Sequence, residues 1–361
     1  MILLPGESTM PKYFRLPGLV DAHVHLREPG ATHKEDFTTG TKAALAGGYT
    51  TIIDMPNNPV PTISKEALDD KIKLASGRIF CDVGFYFGTT GENTTEFSKI
   101  VDSVFGLKVY MNVTTGMLVV GDEVKLDLIF KSWPKKRRIF VHAEGDTLAT
   151  AIRLAKKHQK RLHVCHVVLK KEILMIRGEK EAGMDITCEV SGHNLFLDRE
   201  VAKPLGTFGL MKPRLGAPED RKALWDNLDI VDYIGSDHAP HTREEKLSDT
   251  PPFGVPGLET TLPLLLTAVA EKRLTMERLI ELTSTRPREI LGLPNDDETY
   301  TEVDLNKTYE LSSDNLLTKC GWTQFDGVKV KGKVVKVVLR GKTVYDGEQI
   351  VGKPEGKVIF P

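Results

Sequence analysis

Apolar and polar positions follow two distinct periods along most of the chain. Short runs rich in Val, Ile and Thr predict buried strands, and the stretches between them repeat apolar residues every three to four positions, as amphipathic helices do. The predicted strands are Leu19–Leu26, Thr50–Met55, Cys81–Phe87, Leu107–Met111, Ile139–His142, Leu162–His166, Ile186–Val190 and Tyr233–Ser236. The predicted helices are Lys34–Ala46, Lys65–Ala75, Leu126–Trp133, Asp146–His158, Lys171–Ala182, Pro218–Asn227 and two more within Gly257–Leu274 and Met276–Leu293. Eight strands that alternate with helices predict an α/β fold, the (β/α)8 or TIM barrel.

The two ends of the chain have a different pattern. Residues 327–347, GVKVKGKVVKVVLRGKTVYDG, alternate Val with Lys or Arg, which is typical of surface strands or a hairpin. We therefore predict a barrel over residues 18–290 and a small appended β-module formed by residues 1–17 together with 300–361. No stretch of Gly, Ser or Pro is long enough to separate independent domains.

Composition excludes several classes of protein. The chain has 361 residues, 40% hydrophobic and 27% charged, with a formal net charge of -1. This near-neutral charge argues against a nucleic-acid partner, and no apolar run has the length of a membrane span. The first residues lack the basic region and the long apolar run of a secretory signal. Four separated cysteines, Cys81, Cys165, Cys188 and Cys320, form no CxxC motif, so we expect a reducing compartment, the cytosol.

The stretch DAHVHLREPG places two histidines at the end of the first predicted strand. Residues i and i+2 of a strand point to the same face, so His23 and His25 project together. Neutral imidazoles are suitable zinc ligands. An isolated pair of this kind is weak evidence, because it also occurs at strand ends that bind no metal.

The other predicted strands carry further candidate ligands. In a barrel of this type, catalytic residues come from the C-terminal ends of the strands. The ligand-type residues at these ends are His142, His166 beside Cys165, Glu189, and Asp237 followed by His238 and His241. Five strands thus bring such residues to one rim, and Lys108 lies on a sixth. This convergence predicts a metal site more strongly than any single motif.

The motifs resemble those of the amidohydrolase superfamily, and within it the dihydroorotase domains of CAD-type multifunctional pyrimidine-synthesis proteins of animals and fungi. The stretches that carry the resemblance are DAHVHLREPG, DMPNNP, GLKVYMN, FVHAE, HVCHV, TCEV, SDHAPHT and VPGLETTLPLLLTAV. They extend over nearly the whole chain in family order. The resemblance implies a homodimer and, as partners, the neighbouring domains of a multienzyme.

The resemblance also implies a two-zinc centre. His23, His25 and Asp237 would hold one zinc ion, and His142 and His166 would hold the second. The implied reaction is the reversible ring closure of carbamoyl aspartate to dihydroorotate. Asp237 would be the general base and acid of that reaction.

Three further residues near the metals have implied roles. Lys108 would bridge both zinc ions as a carbamate formed with carbon dioxide, since a plain ammonium has no lone pair for a metal. The alternative for Lys108 is a partly buried lysine in an ion pair. Cys165 and Glu189 match positions that support an additional zinc in some relatives, although Cys165 could equally be a small core residue.

The substrate-holding positions that the resemblance implies are Arg27, Asn57, Lys212, His241, Phe253 and Gly254, with Thr114 and Thr115 in the loop over the site. Each of three has a structural alternative. Arg27 could pair with Glu28 or Glu35, Asn57 could form a turn beside prolines, and His241 could be a surface histidine.

Four segments depart from the pattern of fully competent relatives. Thr115 replaces the phenylalanine of animal relatives, although some bacterial dihydroorotases have Thr-Thr here. Lys212 replaces an arginine that holds the substrate carboxylate, which loses the planar fork of a bidentate contact. Ser191–Asn194 replaces a segment containing Pro-His-His, and Phe253 replaces a proline. The apolar sequel to Thr115 predicts a loop that folds down rather than a mobile lid.

These departures affect the substrate contacts and spare the metal ligands. They favour a dihydroorotase-like domain with weak or lost activity and a mainly structural role, as in the silent domains of fungal CAD-type proteins. The alternative is a fully active zinc dihydroorotase. A third hypothesis is an amidohydrolase for another ring substrate, such as a hydantoin or a dihydropyrimidine.

Overall fold

A computed structural model of the chain describes residues 13–361. The predicted contribution of residues 1–12 to the β-module lies outside the described residues. The strands are β1 Tyr13–Pro17, β2 Leu19–Val24, β3 Tyr49–Asp54, β4 Asp82–Phe85, β5 Phe87–Gly88, β6 Gly106–Tyr110, β7 Arg138–His142, β8 Leu162–Val164, β9 Ile186–Ser191, β10 Tyr233–Gly235, β11 Tyr300–Glu310, β12 Lys329–Leu339 and β13 Lys342–Tyr345.

Helices connect most of the strands between β2 and β11. The α-helices are α1 Phe37–Ala46, α2 Lys65–Ala75, α3 Phe97–Ile100, α4 Glu123–Ser132, α5 Asp146–His158, α6 Lys170–Glu181, α7 Gly192–Phe196, α8 Pro218–Asp226, α9 Arg243–Lys246, α10 Leu258–Ala270, α11 Met276–Ile280 and α12 Arg286–Leu291. Short 3₁₀ turns occupy Thr94–Glu96, Lys203–Gly209, Leu228–Ile230 and Ser313–Asn315. None of the helices within residues 13–361 is long and apolar enough to cross a membrane.

Strands β2 to β10 form two parallel sheets that adjoin at both edges. One sheet has the order β2-β3-β4 and the other the order β10-β9-β8-β7-β6-β5. Only Tyr86 separates β4 from β5. At the other edge, Val24 forms a parallel bridge with His238, and the Asp21 carboxylate accepts the backbone N–H of Ser236. The predicted alternation of parallel strands and helices is therefore confirmed.

The predicted elements differ from the structure mainly at their ends. The first predicted strand stops at Val24, because the N–H of Leu26 donates to the Asp54 side chain at 2.7 Å rather than to a strand. The predicted helix Met276–Leu293 is interrupted by a π-helical turn at Glu281–Thr285. Pro287 follows this turn, and proline cannot donate the regular α-helical hydrogen bond.

A four-stranded antiparallel sheet joins the N-terminal strand β1 to three strands from the C-terminal part of the chain. Its order is β1-β11-β12-β13, and Tyr13 of β1 pairs with Asp304 of β11. Strands β12 and β13 form the hairpin predicted from the Val-Lys alternation. Its turn residues Arg340 and Gly341 have φ angles of 49° and 76°, as a type I′ turn requires.

Candidate active site

The first group of candidate metal ligands lies where strands β2 and β10 end. His23 is in β2, His25 follows it, and Asp237 comes two residues after β10. Oδ1 of Asp237 lies 3.5 Å from Nε2 of His23 and 3.3 Å from Nε2 of His25. One ligand atom from each of the three residues lies within 4.8 Å of the other two. A single metal ion could be held by donor atoms at this spacing.

The second group consists of two histidines from neighbouring strands. His142 is the last residue of β7, and His166 follows β8. Nδ1 of His142 lies 3.0 Å from Nε2 of His166, while the other ring nitrogen of His142 contacts Glu144. Burial lowers the pKa of both histidines, so the neutral, metal-binding form of each imidazole is favoured.

Lys108 lies close to both groups. It is fully buried in the middle of β6, and its Nζ donates to Sγ of Cys165 at 2.9 Å. After burial, its positive charge is a further cause of the lowered pKa values of His142 and His166. Within residues 13–361, the Lys108 ammonium forms no ion pair with a carboxylate.

Glu189, within β9, contacts three histidines of the site. It contacts Nδ1 of His23, accepts the backbone N–H of His166 at 3.2 Å, and lies 3.4 Å from Nε2 of His163. Carboxylates that bind the far nitrogen of a ligating histidine fix the orientation of its ring. Glu189 also forms a close donor group with His23 and Cys165. The resemblance implied an additional zinc at two of these residues, Cys165 and Glu189.

The two histidines of the first group differ in charge. Burial alone would lower the pKa of His23, but Glu189, Asp237 and Cys165 together outweigh it and raise that pKa to about 10. Burial lowers the pKa of His25 to about 3. Nδ1 of His25 lies 2.8 Å from Oδ1 of Asn57, so both histidines use Nδ1 for protein contacts and keep Nε2 near Asp237. This arrangement of imidazoles and one carboxylate fits zinc, and His23 must lose its proton when a metal binds.

The residues predicted to hold substrate line one narrow cleft above these groups. The sequence-predicted members of its wall are Arg27, Asn57, Thr114, Thr115, Lys212, Phe253 and Gly254. The cavity between them measures about 20 Å³, close to the space that a single water occupies. Binding of a larger substrate therefore requires part of this wall to move.

Two of the predicted alternatives, those for Arg27 and His241, can be compared with the structure. Arg27 donates to the carbonyl oxygen of Pro240 and lies 3.2 Å from Nε2 of His241, whereas Glu28 pairs with Arg78. His241 is fully buried, so the alternative of a surface histidine is wrong.

Phe253 connects the loop over the cleft to the opposite wall. Its carbonyl oxygen accepts the Thr115 hydroxyl at 2.8 Å and lies 3.0 Å from Nε2 of His241. Nζ of Lys212 lies 5.2 Å from the centre of the Phe253 ring. Gly254 has a φ of 136°, and a Cβ there would come within 2.5 Å of the Ala239 carbonyl oxygen.

The loop after Thr115 folds down only in part. Val120 is buried, and its N–H donates to the carbonyl oxygen of Tyr110. Met117 is 96% exposed and Val124 is 80% exposed. The predicted burial of this apolar segment therefore holds for Val120 in its middle and fails at both ends.

Sequence reasoning missed Lys246, which holds the wall of the cleft. This buried lysine donates to the carbonyl oxygens of Leu210, Pro252 and Gly254 at 3.0, 3.0 and 3.1 Å. Burial lowers its pKa to about 8. A lysine in the run REEK has no sequence signal for such a role, because the acceptors are backbone atoms of distant segments.

The segment that departs from relatives at Ser191–Asn194 is also buried. It ends β9 and begins the short helix α7. Burial lowers the pKa of His193 to about 4, and Nδ1 of His193 has no hydrogen-bond partner among residues 13–361. Within the same described residues, the buried side-chain amide of Asn194 lacks a partner at either atom.

Comparison with known proteins identifies the family. A model described as the amidohydrolase family matches residues 14–344. The chain therefore belongs to the amidohydrolase family. The resemblance drawn from its motifs is confirmed by individual relatives, which include CAD-type proteins and dihydroorotases.

Three relatives define the relation more closely. The chain is 48% identical over 345 residues to the multifunctional protein CAD of Squalus acanthias, covering 94% of this chain and 15% of that protein. It is 34% identical over 366 residues to the dihydroorotase of Pyrococcus furiosus, covering 95% of this chain and 84% of that one. One solved structure that matches is the inactive dihydroorotase-like domain of the Chaetomium thermophilum CAD-like multifunctional protein. Its TM-score is 0.82 and its sequence identity is 26%, and the match covers 97% of this chain and 100% of that chain. The chain thus spans about 15% of the length of the CAD protein that it matches.

Proposed function

We propose that the chain is a dihydroorotase-type domain that interconverts carbamoyl aspartate and dihydroorotate weakly, because its metal-ligand set is complete and its substrate contacts are altered. The observation that carries this proposal is the convergence of His23, His25 and Asp237 with His142 and His166 around one buried lysine. The proposal includes one closed (β/α)8 barrel over residues 18–290, with residues 300–361 and the N-terminal segment in a β-module.

Zinc is the metal that this donor set supports best. The first ion would be held by His23, His25 and Asp237, and the second by His142 and His166. Lys108 would bridge them as a carbamate, which requires carbon dioxide. Two such ions would polarise the amide carbonyl and make water a nucleophile at neutral pH. Cys165 and Glu189 are the candidates for an additional zinc, together with His23.

The residues of the chain would perform the remaining tasks. Burial alone would raise the pKa of Asp237, but His23, His25 and His193 together outweigh it and lower that pKa to about 2, so the carboxylate is ionised at neutral pH. Asp237 would accept the proton in this ionised form as the general base. Asp237 would then return this proton to the ring nitrogen as the amide bond breaks. Arg27 and Lys212 would hold the substrate carboxylate, and Asn57 and the backbone around Gly254 would orient the ring.

The altered contacts explain why we expect slow turnover. Lys212 keeps a positive charge but cannot make the two parallel hydrogen bonds of a guanidinium. The Phe253 ring lies beside its ammonium and narrows the cleft. A silent domain with a structural role remains the second candidate, and the match to the inactive Chaetomium thermophilum domain favours it.

The relatives also support proposals about context. The partial coverage of CAD-type proteins supports neighbouring domains of a multienzyme as partners, and a homodimer is proposed from the same family relation. All four cysteines, Cys81, Cys165, Cys188 and Cys320, are free and buried, which is compatible with the cytosol as the compartment.

The proposed substrate is dihydroorotate rather than a hydantoin, because dihydroorotases are among the relatives that match nearly the whole chain.

Turnover of the zinc-loaded protein tests the proposal. The protein is incubated with zinc and bicarbonate, and dihydroorotate formation from carbamoyl aspartate is followed at mildly acidic pH, with the reverse reaction at alkaline pH. We expect slow turnover that disappears in Asp237→Ala. Turnover no higher than that of a folded Asp237→Ala variant would contradict the proposed activity and favour the silent domain.

A further inference from the structure

A second and larger cavity lies between helix α10 and the antiparallel sheet. Its volume is about 340 Å³, which is within the range of about 300–1,000 Å³ typical of small-molecule sites. Pro263, Leu311, Leu316 and Val334 give it an apolar wall. None of the residues proposed to hold metal or dihydroorotate lines it, so the proposed reaction leaves this cavity without a role.

Three carboxylate residues border this cavity without a cationic partner. Glu259 is in the first turn of α10, Glu310 ends β11, and Glu348 follows β13. No ion pair formed within residues 13–361 includes any of these three side chains. The Glu259 carboxylate instead accepts the backbone N–H groups of Leu317 and Thr318 at 2.8 and 3.0 Å. These two backbone donors orient the carboxyl group of Glu259 but supply no positive charge.

Two tyrosines add aromatic surface beside Glu259. Burial, followed by the nearby Glu259 carboxylate, raises the pKa of Tyr345 to about 12, so its phenol is neutral. Tyr309 also lines the cavity. The basic residue of the lining is Lys333, whose Nζ lies 6.0 Å from the centre of the Tyr309 ring. With Glu259 ionised, three carboxylates and one ammonium give this wall a formal net charge of -2, and with Glu259 protonated the net charge is -1.

The pKa of Glu259 indicates that no side chain within residues 13–361 compensates its negative charge. Burial raises its pKa to about 8, and the two backbone hydrogen bonds offset this only in part. A cation next to Glu259 would stabilise the charged carboxylate. Aromatic faces attract organic cations, and the apolar wall suits a hydrocarbon stem better than the hydration shell of a metal ion.

We propose that this cavity binds a small organic ammonium with an apolar stem, held by the carboxylate of Glu259 and the rings of Tyr309 and Tyr345. The ammonium group contacts the carboxylate, and the stem contacts the wall around Pro263 and Val334. This site is separate from the candidate metal centre, and its test does not depend on dihydroorotate turnover.

Calorimetric titration with hexylammonium tests the proposal, with 1-hexanol as the neutral probe of similar shape. We expect saturable binding of hexylammonium, at least tenfold weaker binding of 1-hexanol, and at least tenfold weaker binding of hexylammonium to Glu259→Gln. The matched control is Glu277→Gln, which removes an exposed carboxylate from α11 and is expected to leave the affinity unchanged.

A second variant keeps the test informative if Glu259→Gln fails to fold. Tyr345→Leu retains the carboxylate and removes one ring, and we expect it to weaken hexylammonium binding at least threefold. Absence of saturable binding to the natural sequence would overturn the proposal. Equal affinity for hexylammonium and 1-hexanol would also overturn it, since that result shows an apolar cavity without a cation site.

Discussion

Asp237 is the residue at which the proposed metal and proton-transfer roles meet. Its carboxylate lies 3.5 and 3.3 Å from the two histidine nitrogens, and its φ of 46° belongs to the left-handed region that few non-glycine residues adopt. A residue held in a strained backbone conformation at a cleft is often functional. This combination identifies Asp237 as the most sensitive single position of the proposed reaction.

Substitution of Asp237 by Asn tests its proposed role as the general base. The amide retains the shape of the side chain but cannot act as a base at neutral pH. We predict a loss of turnover of roughly 10²- to 10⁴-fold, measured with dihydroorotate as substrate. Circular dichroism checks folding, and turnover within threefold of the natural sequence would rule out Asp237 as the general base.

At Lys212, an arginine should improve the proposed reaction. The guanidinium can form two parallel hydrogen bonds to a carboxylate, and a charged hydrogen bond contributes about 1.5–3 kcal/mol. We therefore predict that Lys212→Arg raises kcat/KM by roughly 10- to 100-fold. An unchanged or lower kcat/KM would show that Lys212 does not hold the substrate carboxylate.

At the scale of elements, helix α9 supports the cleft through a single side chain. Lys246 is the last residue of this four-residue helix, and its three hydrogen bonds hold the segments that contain Leu210, Pro252 and Gly254. These segments contribute the wall around Phe253. The helix therefore affects the substrate cleft through the Lys246 ammonium, which binds the backbone of the wall.

Removal of the Lys246 ammonium should loosen this wall. Lys246→Met leaves three buried carbonyl oxygens without their donor, which costs on the order of 1–3 kcal/mol per group left unsatisfied. We predict a lower unfolding temperature and a higher KM for dihydroorotate, with zinc content unchanged. Lys307→Met, on the exposed part of β11, is the matched control. Loss of bound zinc in Lys246→Met would contradict a role confined to the substrate wall.

The start of helix α10 should make folding stability depend on pH. Burial raises the pKa of Glu259 from 4.5 to about 8, so between these values the folded state holds a proton that the unfolded chain has lost. Stability therefore falls as pH rises from about 4.5 to 8, by at most about 1.4 kcal/mol per pH unit.

Urea unfolding of Glu259→Gln measures this effect. A neutral amide cannot lose a proton, so we predict that the variant lacks this part of the pH dependence. Glu277→Gln should retain the natural slope. Identical slopes for Glu259→Gln and the natural sequence would show that Glu259 titrates normally in the folded state.

For the whole molecule, periodicity predicted the alternation of parallel strands and helices because the eight predicted strands are short, apolar and regularly spaced. The structure divides one of them, Cys81–Phe87, into β4 and β5. The histidine pair in DAHVHLREPG and the polar residues at later strand ends then predicted which side chains meet at one rim. The structure brings these residues together, since parallel strands present their C-terminal ends on the same side.

Other features could not be predicted from the sequence because they depend on distant backbone atoms. Lys246 binds carbonyl oxygens from two separate segments, and the Thr115 hydroxyl binds the carbonyl oxygen of Phe253. Backbone acceptors leave no signature in residue types. The cavity at Glu259 likewise arises from the packing of the antiparallel sheet on α10, which no local pattern encodes.

Turnover of dihydroorotate by the zinc-loaded protein and by Lys212→Arg/Phe253→Pro tests the central claim most directly. These two substitutions restore the residues that fully competent relatives carry and leave every proposed metal ligand in place. We predict slow turnover by the natural sequence and a large increase in kcat/KM for the double variant, both abolished by Asp237→Ala. Turnover by neither protein above the Asp237→Ala background, with folded and zinc-loaded samples, would contradict a weakened dihydroorotase and indicate a domain whose metal-ligand set no longer serves this reaction.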